Sequence, residues 1–377
     1  MSVMKHSNVP SSRIMPANPP AHHQRPKRRE SLDNVYDRLA LSLSSRCPSP
    51  VPRPHLTDAQ TKALEYVRDK ADANSRHESS RLLERLRKLG LKSARDVARC
   101  TNWFRSRAPI IVHVQLDTLL KYMTTDTEYR NAYEVYEKMG STFKDEHTGR
   151  KQMENESFGN AYENAKAYEQ VKYGVLNPTA DPNGVFSCSF YGRSYLILRN
   201  EVRSRATIAA TDSALDGRLA TFERFNHILM TYSDAELKAV AQVATDQKPS
   251  ISTDKLFHYP DYTEVHIHGP LSYSRDVERL VVEPRYRALK NDDEIHGSNR
   301  QGEKGSMTGK EFWEWMGIFK KRNPAVQVVW MDDGSEVASG KGTEAQQTVK
   351  KQHVLHDVRS WSYTKKQRPL ILNIREK

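Results

Sequence analysis

Cysteine is scarce in this chain of 377 residues. Cys47, Cys100 and Cys188 stand far apart, odd in number and without CxxC spacing, which excludes a disulfide framework and a cysteine-rich zinc site. Free thiols of this kind suit a reducing compartment, so a cytoplasmic location is expected. Long apolar runs are also missing: no stretch approaches the roughly 18 residues of a membrane span. The N-terminus has no apolar core of a Sec-type signal, so any export is expected to use a signal-less type III or type IV route. Neither GxxxxGK[ST] nor GxGxxG occurs, so the usual phosphate cradles are absent. GxSxG and HExxH are absent too, which removes the main support for common hydrolase and metallopeptidase readings. Apolar residues make up only 37%, a shortfall that points to polar tails around a smaller core.

Positive charge, in contrast, is abundant. The formal net charge is +12 with a pI near 9.4, which draws a chain toward nucleic acid, anionic membranes or acidic proteins. No nucleic-acid reader motif accompanies the charge, so a nucleic-acid partner rests on charge alone and a protein target is favoured.

Half of the 18 prolines lie before His55, among Ser, His, Arg and Lys. Residues 1–55 therefore read as a disordered tail, with a basic cluster at Arg25-Pro26-Lys27-Arg28-Arg29. Residues 56–108 read as a helical subdomain. Thr57 and Gln60 have capping-box spacing, and Ala63, Leu64, Val67 and Ala71 form a helical stripe. A second helix is expected through Leu82, Leu83, Leu86 and Leu89, stopped by Gly90, and a third over 94–104. Residues 109–288 read as an α+β core. Strands are expected at 110–114, 173–176, 185–190, 195–198, 206–210, from Tyr262 onward and at 277–282. Helices are expected near 116–123, 128–138, 158–170, 219–232 and 234–244, the last capped by Ser233. Six or seven strands with flanking helices predict an α+β fold: an N-terminal helical subdomain, then a mainly antiparallel sheet, with a split sheet as a variant. Residues 289–377 form a polar extension. It holds a loop over 290–308, a helix over 310–321 carrying Trp313, Trp315 and Phe319, a strand at 327–331, a loop at 332–346 and a last strand at 370–374.

The most informative stretch is Tyr262 to Arg287, YTEVHIHGPLSYSRDVERLVVEPRYR. Side chains alternate along a strand, so Glu264, His266 and His268 share one face while Thr263, Val265 and Ile267 share the other. A carboxylate can act as acid, base or stabiliser of a cationic transition state. The two imidazoles could share a divalent metal with Glu264, although no metal is favoured because a third and fourth ligand do not follow from spacing. The plainer reading is that the histidines cap a sheet edge and hydrogen-bond Glu264.

Three further segments carry a resemblance: KYGVLN (Lys172 to Asn177), YGRSYLILRNEVRSRATIAATDS (Tyr191 to Ser213) and the Glu264 stretch, in this order. With the LTDAQTKALEYV opening, the Tyr129-Arg130-Asn131 step and the Phe158-Gly159-Asn160-Ala161-Tyr162 pentapeptide, residues from about Leu56 to Arg287 resemble a mostly bacterial family catalogued only as a domain of unknown function. Members carry a Phe-His-Pro-Asp-Arg run after the first strand. Here Val114-Gln115-Leu116-Asp117-Thr118 keeps only Asp117, with Gln115 and Thr118 at the histidine and arginine positions.

The strand order more distantly resembles the ADP-ribosyltransferases. That resemblance implies NAD as cofactor, RATIAATDS as the Ser/Thr strand and Glu264 as catalytic glutamate, with His268, Arg205 and Ser213 beside it. It also implies cofactor contacts from Tyr173, Asn177, Tyr191, Thr207 and His113. The pattern departs at Tyr262, where a Glu or Gln usually precedes the catalytic glutamate by two residues. Three functions follow in order of preference. The first is an NAD-dependent ADP-ribosyltransferase-like protein acting on a macromolecular target. The second is a catalytically inactive basic effector or regulatory module. The third is a metal-dependent hydrolase using Glu264, His266 and His268.

Overall fold

The computed structural model describes residues 54–138, 148–215, 217–298 and 304–331. Residues 1–53 of the expected 1–55 tail, the 332–346 loop, the 370–374 strand and Cys47 lie outside the described residues.

Helix α1 (Asp58–Lys88) opens where the sequence places it. The Gln60 amide donates to Thr57 Oγ1 at 3.4 Å and the Thr57 amide to Gln60 Oε1 at 3.0 Å, a reciprocal cap that satisfies two amides with no helical partner. The two helices expected here are one. Ala63, Val67, Ala71, Ser75, Leu82 and Leu86 are all buried, and small Ser75 continues the stripe through a segment that reads as polar. Gly90 then stops the helix at φ +108, with the Leu91 amide donating to Leu86 O at 3.1 Å. Helix α2 (Ala94–Ser106) follows, capped by Ser93.

Strands β1 (Ile110–Val114), β3 (Lys172–Leu176), β4 (Ser194–Leu198), β5 (Ala206–Ala209), β6 (Leu219–Thr221), β7 (Glu264–Ile267), β9 (Val277–Val282) and β12 (Gln327–Trp330) form one sheet. Its order is β12-β9-β4-β1-β3-β7-β5-β6, so the unsplit form of the expectation holds. Every neighbouring pair is antiparallel except β12 and β9. Short β2 (Glu128–Tyr129) pairs with β8 (Leu271–Ser272), and β10 (Glu294–Ser298) with β11 (Lys304–Thr308). That last hairpin occupies part of the stretch read from sequence as a loop. Helix α9 (Gly309–Arg322) buries Phe312, Met316 and Phe319, leaves Trp313 41% exposed and leads into β12.

Several local expectations are corrected. Residues 186–191 form a 3-10 turn, with only Cys188 buried and Phe186 and Phe190 facing outward, so the apolar run has no sheet to enter. The segment 219–232 is not one helix: it begins as edge strand β6, turns, and makes only the single turn α6 (Asn226–Leu229). Its buried Phe222, Phe225, Ile228 and Leu229 mimic helical spacing, but pairing with β5 wins at its start. Between 128 and 138 the chain is first β2 and then helix α4 (Ala132–Lys138), opened by reciprocal bonds between Asn131 and Glu134. The helix expected over 158–170 lies earlier, as α5 (Thr148–Ser157), and Gly159 and Asn160 at φ +63 and +60 end it.

The sheet has two distinct faces. Val112, Leu196, Ile208, Val265 and Ile267 belong to the large core, which also holds Cys100 and Phe104 of α2 and Leu237 and Val240 of α7 (Asp234–Ala244). Burial pushes the Cys100 and Cys188 thiols up to about 12, so neither is a reactive thiolate at neutral pH. Ala209 and Leu219 of the other face join a smaller cluster with Phe158, Tyr162, Ala63 and Val67. Glu264 lies on this smaller side.

Gly192 closes the corner between β1 and β4. Its φ is +119, and a Cβ there would sit 2.2 Å from the Val114 carbonyl oxygen. Gly192→Ala is therefore expected to destabilise the protein by about 3 kcal/mol or more, read as a lower urea midpoint.

Candidate active site

Strand β7 lies between β3 and β5, opposite Val175 and Ala209 at Glu264 and opposite Tyr173 and Thr207 at His266. Facing residues of adjacent strands share a side, so this register gathers a carboxylate, an imidazole, a phenol and a hydroxyl. His268, just beyond the strand, adds a second imidazole. Glu264 and His266 of β7 and the adjoining His268 thus share one face, as alternation predicts. They are not at a sheet edge and not solvated: His266 and His268 are fully buried and Glu264 is 8% exposed.

Glu264 Oε2 accepts hydrogen bonds from the Ser213 amide at 3.0 Å and from His266 Nε2 at 3.1 Å. Burial alone raises a carboxyl pKa; these donors override it and hold Glu264 below the ordinary value. No lysine or arginine pairs with it among the described residues. The basic side chain against this buried anion is the His266 imidazole.

Thr207 Oγ1 lies 3.3 Å from His266 Nδ1 and 3.1 Å from His268 Nε2, and the Tyr162 hydroxyl lies 2.5 Å from His268 Nδ1. Burial, then the neighbouring His266 and Arg205, drives the His268 pKa well below its usual value, so this ring is neutral. Phe158 presents itself edge-on to both imidazoles at 5.4 and 5.3 Å. Tyr173 packs edge-on to His266 at 5.3 Å, and its hydroxyl donates to Glu154 Oε1 at 2.7 Å. Glu154 is fully buried in α5 and also accepts from Tyr133 at 2.9 Å and from Arg150 at 3.1 Å. Tyr262, mostly buried, has its phenol pushed up by burial and then by Glu264 and Asp212. Tyrosines and carboxylates therefore surround the Glu264 region.

The predicted site residues separate into two groups, with Tyr191 apart from both. Tyr173, Thr207, Ser213, Glu264 and His268 come together. His113, Asn177 and Arg205 are committed to the protein itself. His113 lies on the same sheet face, but its Nδ1 donates to Gly192 O at 2.7 Å and its Nε2 accepts from the Val185 amide at 3.2 Å. Burial lowers its pKa to about 4. Asn177 exchanges two hydrogen bonds with the Asp181 backbone at 2.9 and 3.0 Å, bracing a turn. Arg205 donates to His268 O at 2.7 Å and pairs with Asp276 at 3.0 Å. Tyr191 is 42% exposed and packs against Phe190 at 4.1 Å. All four nitrogens of His266 and His268 already meet protein groups, and no cluster of three His, Cys, Asp or Glu able to hold a metal stands among the described residues.

Sequence reasoning did not assign Tyr162, Glu154, Arg150 or Tyr133 to the site. The pentapeptide ending at Tyr162 was a signal for the first, and the Arg150–Glu154 spacing of four on a helix was a weak one for the pair.

Fold and site together define an α+β protein with a buried acid-imidazole cluster on an internal strand. Residues 109–241 match the model of a family described as a protein of unknown function, DUF3626, so the expected kinship with an uncharacterised family is found over that segment. No curated protein matches the chain. No helix among the described residues is long and apolar enough to cross a membrane.

Proposed function

We propose that the protein is an NAD-dependent ADP-ribosyltransferase-like enzyme in which Glu264 is the anionic centre. The observation that carries this reading is the buried, ionised Glu264 carboxylate, which no lysine or arginine pairs with among the described residues. In such a reaction the bond between nicotinamide nitrogen and ribose C1′ breaks, and nicotinamide leaves with the bonding pair. The ribose then carries positive charge until a nucleophile of the target bonds to C1′ and releases its proton. A carboxylate fixed beside that carbon favours the charged state over the ground state. Support also comes from β5, whose Thr207 side of the ATIA strand pairs directly with β7. Tyr191 offers an exposed aromatic face for the nicotinamide end, while Arg150 lies over one face of the Tyr173 ring at 4.4 Å. The target is expected to be a protein, which the excess of positive charge would select for acidic surfaces.

A second reading is favoured by a separate observation. His113, Asn177 and Arg205, three residues expected to contact NAD or the reacting ribose, are bound to protein partners. A module that kept the fold and lost the cofactor grip would look like this, and would act through its basic surface. Calorimetric titration of the purified chain with NAD separates the two. Saturable binding at or below about 1 mM, a free energy near −4 kcal/mol, is expected for the enzyme and absent for the module.

A further inference from the structure

Four side chains behind Glu264 take no part in the reaction outlined above, yet they form an unbroken buried chain. In order they are Tyr162, His268, Thr207 and His266, and successive polar atoms lie 2.5, 3.1, 3.3 and 3.1 Å apart, ending on Glu264 Oε2.

The proton count fixes the direction. Ionised Glu264 accepts only, so His266 Nε2 must carry the hydrogen it donates. If His266 is neutral, its Nδ1 is an acceptor and the Thr207 hydroxyl donates to it. Thr207 then accepts from His268 Nε2–H. Neutral His268 has an acceptor at Nδ1, and Tyr162 O–H donates there. Every hydrogen is used once and every acceptor is filled. The reversed chain needs a doubly protonated His266 and makes His268 donate to the Tyr162 oxygen. The phenol hydrogen of Tyr162, a fully buried residue, would then have no acceptor among the described residues. An orphaned buried donor of that kind is costly. The phenol also keeps its proton, because burial and then the nearby Glu154 and Glu169 raise its pKa well above the usual value.

We propose that Tyr162, His268, Thr207 and His266 form a one-directional hydrogen-bond relay that positions the Glu264 carboxylate. The four are positioning residues. The relay's catalytic consequence rests on Glu264 being the anionic centre of the NAD reaction; its hydrogen-bond pattern does not. The relay holds the carboxylate oxygen at one place by a string of hydrogen-bonding side chains with no lysine or arginine among them.

The test uses the full chain labelled with ¹⁵N-histidine, with the two rings assigned from His266→Gln and His268→Gln. Two-bond proton–nitrogen spectra near neutral pH are expected to show the Nε2–H tautomer on both rings. An Nδ1–H tautomer or a doubly protonated ring at either position overturns the relay. Thr207→Val, nearly isosteric, should give His266 Nδ1 the signature of an unbonded acceptor, and Thr207→Ser should restore the bonded one. For NAD turnover, Thr207→Val should lower kcat about tenfold with KM changed less than about twofold, and Thr207→Ser should recover it. Spectra of Thr207→Val that match the wild type reject the relay. A wild-type chain inert to NAD rejects the reading of Glu264 instead, while the tautomers still decide the relay.

Discussion

Glu264→Gln is expected to cut NAD consumption and label transfer by roughly a hundredfold or more, a scale typical of losing one transition-state electrostatic contact. The substitution is well suited to the question because of how the carboxylate is held. Both donors, the Ser213 amide and His266 Nε2, reach the same oxygen, Oε2. A glutamine carbonyl can take that position and accept both bonds, so the geometry survives while the charge goes. Unfolding free energy should consequently stay within about 1 kcal/mol of the wild type, the scale of one net hydrogen bond. Radiolabelled NAD added to a lysate, with wild type and variant side by side, reads the transfer, and urea unfolding reads the stability. Turnover that persists undiminished in the variant would remove Glu264 from the chemistry.

Acid should destabilise this protein through its histidines before its carboxylates. His113 is neutral in the fold, with a pKa lowered by burial to about 4 against an ordinary 6.5. Above pH 6.5 neither the folded nor the unfolded chain protonates this ring, and its contribution to stability is complete. As pH falls from 6.5 toward 4 the unfolded chain takes up the proton and the folded one does not, so stability drains away. At about 1.4 kcal/mol per pH unit, that window amounts to about 3 kcal/mol from this residue alone. His268 and His227 are depressed in the same direction, first of all by burial, and add to the slope. Glu264, held below the usual carboxyl value of 4.5, contributes stability that is lost only at lower pH. Urea midpoints measured from pH 7.5 down to 4 should fall steeply. In His113→Gln, whose amide can serve Gly192 and Val185 as the ring does, part of that slope should disappear. An equally steep profile in the variant would show that His113 does not hold its proton off in the fold.

Elements marked by strong local signals were legible. The Thr57–Gln60 cap needs only four residues, and the split of Glu264, His266 and His268 from Val265 and Ile267 follows from the pleat. The β1, β4, β5 and β9 strands are short β-branched or apolar runs bounded by turn residues, and they lie close to where those runs place them. What escaped was decided by distant partners. Tyr162 and His268 are 106 residues apart, and nothing local in either segment says that a phenol will meet that imidazole. Ser75 looks like a break in a helix until its burial against the rest of the fold is known. The 186–191 segment has the composition of a strand and lacks only a neighbour. The resemblance to ADP-ribosyltransferases marks His113 as a cofactor contact, and nothing local to its strand says that both ring nitrogens are already taken. Gly192 and Val185, which occupy its nitrogens, come from loops 79 and 72 residues away.

The place of β7 in the sheet bears on how the molecule is made. By the time residue 241 has left the ribosome, β1, β3, β4, β5 and β6 are present, but β3 and β5 have no bond to each other, because the strand between them is still to come. The nascent chain holds two partial ladders with facing open edges. The last piece to bridge them is the one that bears Glu264. Long-range closure of this sort is slow, and open edges invite pairing with other chains while it waits. Completion of the sheet and assembly of the acid cluster are therefore one event: a chain that has not yet inserted β7 has neither a continuous fold nor a site.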